Sequence, residues 1–111
     1  MTPGQGDIVT YIGFRSERSG AVVRKNGTVF GSVASRKLRN HSPTGFEWGY
    51  GGSGPAQLAL GLLLDATGDP VIALSHYQRF KFEVVAGWGD RWEITNREIR
   101  AWIQNDDEAR E

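Results

Sequence analysis

The chain has 111 residues, 39% of them hydrophobic and 23% charged, with a formal net charge of zero. That length and composition fit a single domain with one modest core and speak against a second independent one. Without cysteine, neither a disulfide framework nor a zinc-thiolate cluster can hold the fold, and a reducing cytoplasm is the natural location.

The opening residues, Met1 to Gly6, lack the basic start and apolar run of a leader, and the longest apolar stretch, around Leu58 to Leu64, is too short to span a bilayer. A cytoplasmic protein without a membrane partner is expected. From Asp7 to Arg15, Ile8, Thr10 and Ile12 alternate with Val9, Tyr11 and Gly13, which predicts a strand. Ala21 to Lys25 and Thr28 to Val33 read as two more strands joined by Asn26-Gly27, a dipeptide suited to a type I′ hairpin. The polar run from Ala34 to Thr44, with Pro43, reads as a loop.

Phe46, Trp48 and Tyr50 recur at period two and predict an aromatic strand. Gly51, Gly52 and Gly54 then supply a sharp turn in which at least one glycine is expected at positive φ. Ser53 or Gly54 is the expected N-cap, and Pro55 suits the first turn of a helix. That helix, Pro55 to Ala66, is apolar except for Gln57, Gly61 and Asp65, which share one narrow stripe. Leu60 and Leu63 are therefore core residues of a central helix, and Gly61 marks either tolerance or a close approach of another backbone. Gly68 suits a left-handed C-terminal position, and Asp69-Pro70 opens a second, amphipathic helix to about Ala86. Arg91 to Ile94 reads as a short strand or link. Thr95-Asn-Arg-Glu98 fits a capping box that starts a third helix to about Gln104, followed by an acidic, frayed tail, Asn105 to Glu111. The fold class is α+β in one domain, residues 1–104.

The zero net charge hides an asymmetry. Residues 1–41 carry Arg15, Arg18, Arg24, Lys25, Arg36, Lys37 and Arg39 against Asp7 and Glu17, an excess of five positive charges that the remainder balances. Such a basic first third is what a nucleic acid or an acidic partner would need, and it is also an ordinary mixed surface.

The run Gly45 to Leu64, GFEWGYGGSGPAQLALGLLL, resembles a small domain family of bacteria, phages and other mobile elements. Weaker echoes at Tyr11-Ile-Gly13 and at Tyr77 to Ala86 extend the resemblance over most of the chain. The family carries no established activity. Its setting implies accessory or counter-defence roles, inhibition of a CRISPR system among them.

Candidate sites follow from the residues. A glycine-rich turn into a helix can cradle an anion on backbone N–H groups, here at Gly51, Gly52, Ser53 and Gly54. No phosphate-loop lysine follows, and Pro55 removes one donor, so a structural role for the turn is favoured. Phe46, Trp48 and Tyr50 could stack a base, yet beside a leucine-rich helix they read as core. Gln57, near the start of a buried helix, is expected to tie down the preceding loop. The two histidines, His41 and His76, come without a cysteine nucleophile or metal-ligand spacing, and nothing in the order of His41, Ser42 and Glu47 requires them to converge. The expectation is a protein without catalytic residues, cofactor or metal that binds a host protein complex through Arg36, Lys37 and Arg39. The alternative is a nucleotide or nucleic-acid binder using the glycine turn and the basic first third.

Overall fold

A computed structural model describes residues 7–110. Met1 to Gly6, read as lacking a leader, and Glu111, in the expected tail, lie outside the described residues. The chain is α+β. Strands β1 (Thr10–Ser16), β2 (Gly20–Lys25), β3 (Thr28–Val29) and β4 (Trp92–Thr95) form an antiparallel sheet in the order β3-β2-β1-β4. Asn26 at φ 48° and Gly27 at φ 84° make the left-handed pair that a type I′ turn requires between β2 and β3. β3 stops at Val29, short of the expected Val33. Phe30 N–H gives Val23 O one last bond of 2.8 Å, and Gly31-Ser32 turns the chain away.

Residues 34–44, expected as a loop, contain most of a short helix, α1 (Val33–Leu38). Its closure is local: Ser35 Oγ donates to Ser32 O at 3.1 Å, and Arg36 Nε donates to Ser32 Oγ at 3.0 Å. Phe46 to Tyr50, expected as a strand, is irregular. The three rings have different environments: Phe46 is half-buried, Trp48 is buried, and Tyr50 is 52% exposed, against the expectation that it is core.

Helix α2 (Ser53–Thr67) is capped by Gly52, one residue before the expected Ser53 or Gly54. Leu58, Leu60, Leu62 and Leu63 are fully buried and share one core with Tyr11, Val23, Trp92 and Ile94 of the sheet. Even its polar stripe is covered. Gln57 and Gly61 are buried, because α1 and its following loop lie over them, and it is the Phe46 ring, not another backbone, that approaches Gly61. Gly68, at φ 67°, ends the helix by donating to Leu64 O at 2.8 Å.

Asp69 caps α3 (Pro70–Glu83) by accepting from Val71 N at 2.9 Å and Ile72 N at 3.3 Å. A 3-10 turn, Val85–Gly87, replaces the last expected residues of that helix. The Thr95–Glu98 capping box opens α4 (Asn96–Ala109), which continues well past Gln104. Residues 105–109 are thus helical rather than frayed, because Asp106 is buried against His76 and Arg79 of α3. No helix among the described residues is long and apolar enough to cross a membrane.

Candidate functional site

The glycine turn is built for close packing. None of Gly51, Gly52 and Gly54 has a positive φ; Gly45 (113°) and Gly49 (89°), earlier in the run, do. A Cβ on Gly52 would stand 2.5 Å from the Tyr50 ring, and one on Gly54 would stand 2.6 Å from Glu47 Cβ. The Glu47 side chain lies across Gly54 and accepts from Arg15 NH1 at 2.8 Å. The aliphatic part of the Glu47 side chain therefore covers Gly54, while its carboxylate is turned to Arg15.

Arg36, Lys37 and Arg39 do not converge. Arg36 reaches Ser32 and, through NH1, Pro43 O at 3.4 Å; Lys37 is exposed; Arg39 NH1 donates to the Tyr77 hydroxyl at 3.5 Å. Gln57 holds the segment that contains them. Its Oε1 accepts from His41 N at 2.7 Å and Ser42 N at 3.1 Å, while its Nε2 donates to Ser35 Oγ at 2.9 Å and Arg39 O at 3.1 Å. All four hydrogen-bonding positions of this buried amide are filled. His41, Ser42 and Glu47 have separate side-chain partners, in Tyr77, Thr44 and Arg15.

The early end of β3 leaves an open strand edge. Backbone groups alternate sides along a strand. Asn26 N–H bonds β1 at Thr10 O, so Val23 and Ala21 face the side of β3. Val23 O is met by Phe30, but among the described residues no strand lies opposite Ala21 on that side. Beside this edge lies a groove of about 470 Å³ lined by Val22, Val23, Val29, Phe30, Phe46 and Arg24, among others. Phe30 and Phe46 stack within it at 5.6 Å. Arg24 is its one charged lining residue among the described residues, and no carboxylate lines it. A cleft of about 270 Å³ continues behind Phe30, between α1 and α2, past Ser35, Gly61 and Asp65.

Other polar groups are paired. Asp65 accepts from the Tyr11 hydroxyl and from Lys25, and burial, followed by this carboxylate, pushes the Tyr11 hydroxyl far up. His76 has carboxylates at both ring nitrogens, Asp106 at 2.6 Å and Asp107 at 3.1 Å. Burial, with Arg39 and Lys81 nearby, lowers the pKa of His41. Among the described residues no group of three or more His, Cys, Asp or Glu is placed to hold a metal ion.

Sequence reasoning missed the groove and the meeting of His41 with Tyr77. The combination defines a small α+β domain with an apolar groove at an open strand edge. The chain belongs to a family of unknown function, DUF6166, whose family model matches residues 11–105. No match was found among curated proteins or among solved structures.

Proposed function

We propose that this protein is a non-enzymatic binding module that captures an extended, acidic segment of a host protein complex by strand addition at β2. One observation carries the reading: the free edge at Ala21 opens onto a groove whose lining is mostly apolar and whose charged side chain is cationic. An added strand gains main-chain bonds from that edge and places alternate side chains against Phe30 and Phe46. Carboxylates on the incoming segment complement Arg24, with Arg36 nearby through its contacts with Ser32 and Pro43. The accessory or counter-defence setting, a phage or mobile element acting on host defence from within the cytoplasm, rests on the resemblance of the Gly45 to Leu64 run.

Selection of random ten-residue peptides on the immobilised protein tests this reading. Selected sequences should alternate apolar residues and carry Asp or Glu. Ala21→Pro removes the N–H that faces the open edge and should abolish their binding, since proline at a strand edge loses only that donor. Arg24→Glu, on an exposed position, should weaken the same peptides without touching the backbone. Equal binding by both variants overturns the strand-addition mode. Tight binding of a generic DNA or RNA fragment at about 150 mM salt, where nonspecific phosphate contacts are weak, would favour the nucleic-acid alternative.

A further inference from the structure

Away from the groove, Arg39 and His41 meet at the Tyr77 hydroxyl, and Lys81 lies near enough to His41 to act on it electrostatically. His41 Nε2 lies 2.7 Å from the Tyr77 hydroxyl, and Arg39 NH1 donates to the same oxygen at 3.5 Å. The Tyr77 oxygen accepts from Arg39, and either tautomer of His41 makes its contact, Nε2 accepting from the hydroxyl or donating to its oxygen. Lys81 follows Tyr77 by one helical turn on α3, is only 7% exposed, and holds its ammonium 3.9 Å from the centre of the Phe82 ring.

Among the described residues this charge has no ion-pair partner. The ion pairs among the described residues join Arg15, Lys25, His76, Arg79 and Arg110 to carboxylates, and none includes Arg39, His41 or Lys81. A largely buried lysine side chain without a carboxylate beside it is costly, and an aromatic face offsets only part of that cost. The lowered pKa of His41, caused by burial and then by Arg39 and Lys81, fits a local excess of positive potential.

We propose that Arg39, His41 and Lys81 form a binding site for a phosphate monoester, with the exposed ring of Phe82 as a platform for the group that carries the phosphate. Three donors from two elements suit a dianion with three terminal oxygens better than a carboxylate with two. Phe82 is 64% exposed and abuts Gly51, next to the 52% exposed Tyr50, so a flat aromatic group attached to the phosphate finds apolar surface beside the cations. The site does not use the N–H groups of the glycine turn, and it does not depend on the groove.

Proton NMR of the imidazole rings tests the proposal, since the chain has two histidines and His41→Gln identifies one of them. The probes are inorganic phosphate, adenosine 5′-monophosphate and acetate. Phosphate and the nucleotide should shift the His41 signals saturably and raise its pKa, because a bound dianion favours the imidazolium. Acetate should not. Lys81→Met and Arg39→Gln should each weaken binding about tenfold or more, the loss expected for one charge-assisted contact. Tighter binding of the nucleotide than of phosphate places the base on Phe82; equal binding assigns the site to the phosphoryl group alone, and either upholds it. Absence of a saturable shift with both probes up to about 10 mM, well above a millimolar dissociation constant, overturns it on the wild-type chain alone. Equal binding of acetate, or unchanged binding in folded variants carrying Lys81→Met and Arg39→Gln, overturns it as well.

Discussion

Trp92 shows how much one residue decides. Its indole lies flat on Gly13 of β1, stacks on Trp88 at 4.1 Å and meets Trp48 edge-on at 5.6 Å. A Cβ on Gly13 would fall inside that indole, so Gly13→Ala is expected to destabilise by about 1–3 kcal/mol or more through overpacking. Urea denaturation measures the difference, and an unchanged midpoint would contradict the packing. Trp92 Nε1 is buried without a hydrogen-bond partner among the described residues, so the site already carries one polar cost and has little to give. Gln57 works in the opposite sense, by satisfying others. Gln57→Ala leaves the N–H groups of His41 and Ser42 without their acceptor, at about 1–3 kcal/mol for each one that stays buried. The thermal transition should fall, and amide exchange at those two positions should quicken more than in α3.

At the scale of elements, α2 and α4 are held by different physics. The leucines of α2 are fully buried, so Leu60→Asp or Leu63→Asp places an unpaired charge in the core and should abolish cooperative unfolding, as circular dichroism would record. The last turns of α4 are held by ionic bonds. Arg79, donating to Asp106 at 2.7 Å from NH2 and 2.8 Å from Nε, holds that carboxyl well below the usual carboxylate range, and His76 adds to this against the opposing effect of burial. Between the folded and unfolded pKa values the unfolded chain binds the extra proton. The contribution is therefore whole above the ordinary value of 3.8 and is lost as the pH falls below it toward the folded value. Asp106→Asn should cost more stability at about pH 7 than at about pH 3 in paired denaturation curves, and a cost independent of pH would contradict the assignment.

The elements legible in the sequence are those whose cause is local. Asn26-Gly27, Gly68, Asp69-Pro70 and Thr95 to Glu98 each set backbone angles or fill backbone donors within a few residues, and each stands where its chemistry places it. The aromatic run misled because period two also arises when each ring serves a different neighbour: Phe46 covers Gly61, Trp48 reaches Gly89 O, and Tyr50 lies over Gly52. Helix α1 was hidden because its local closure on Ser32 uses no strong capping signal and Gln57, well downstream, anchors it at Ser35 and Arg39. The groove exists because β3 is short. The contact between His41 and Tyr77 joins residues 36 positions apart, which no local pattern reports.

Across the whole molecule, part of the basic excess of the first third is neutralised internally. Arg15 pairs with Glu47 and, at 3.5 Å, with Asp90, and Lys25 pairs with Asp65, so the acidic remainder folds back onto the basic start. The same closure appears in the sheet, where Thr10 to Gly13 pair with Thr95 to Trp92. Asn96 extends it, accepting from Val9 N at 2.9 Å and donating to Asp7 O at 3.2 Å. One cooperative transition is expected, with tryptophan fluorescence and far-ultraviolet dichroism coinciding. Two separated transitions would show that the sheet and helices unfold independently.

That closure also fixes when the protein can fold during its synthesis. β1 leaves the ribosome well before its outer partner β4, so the sheet cannot be complete until all three helices between them have been made. At ~5–20 residues per second, β1 spends seconds with one edge unpaired and Gly13 uncovered, an interval in which a chaperone can act on it.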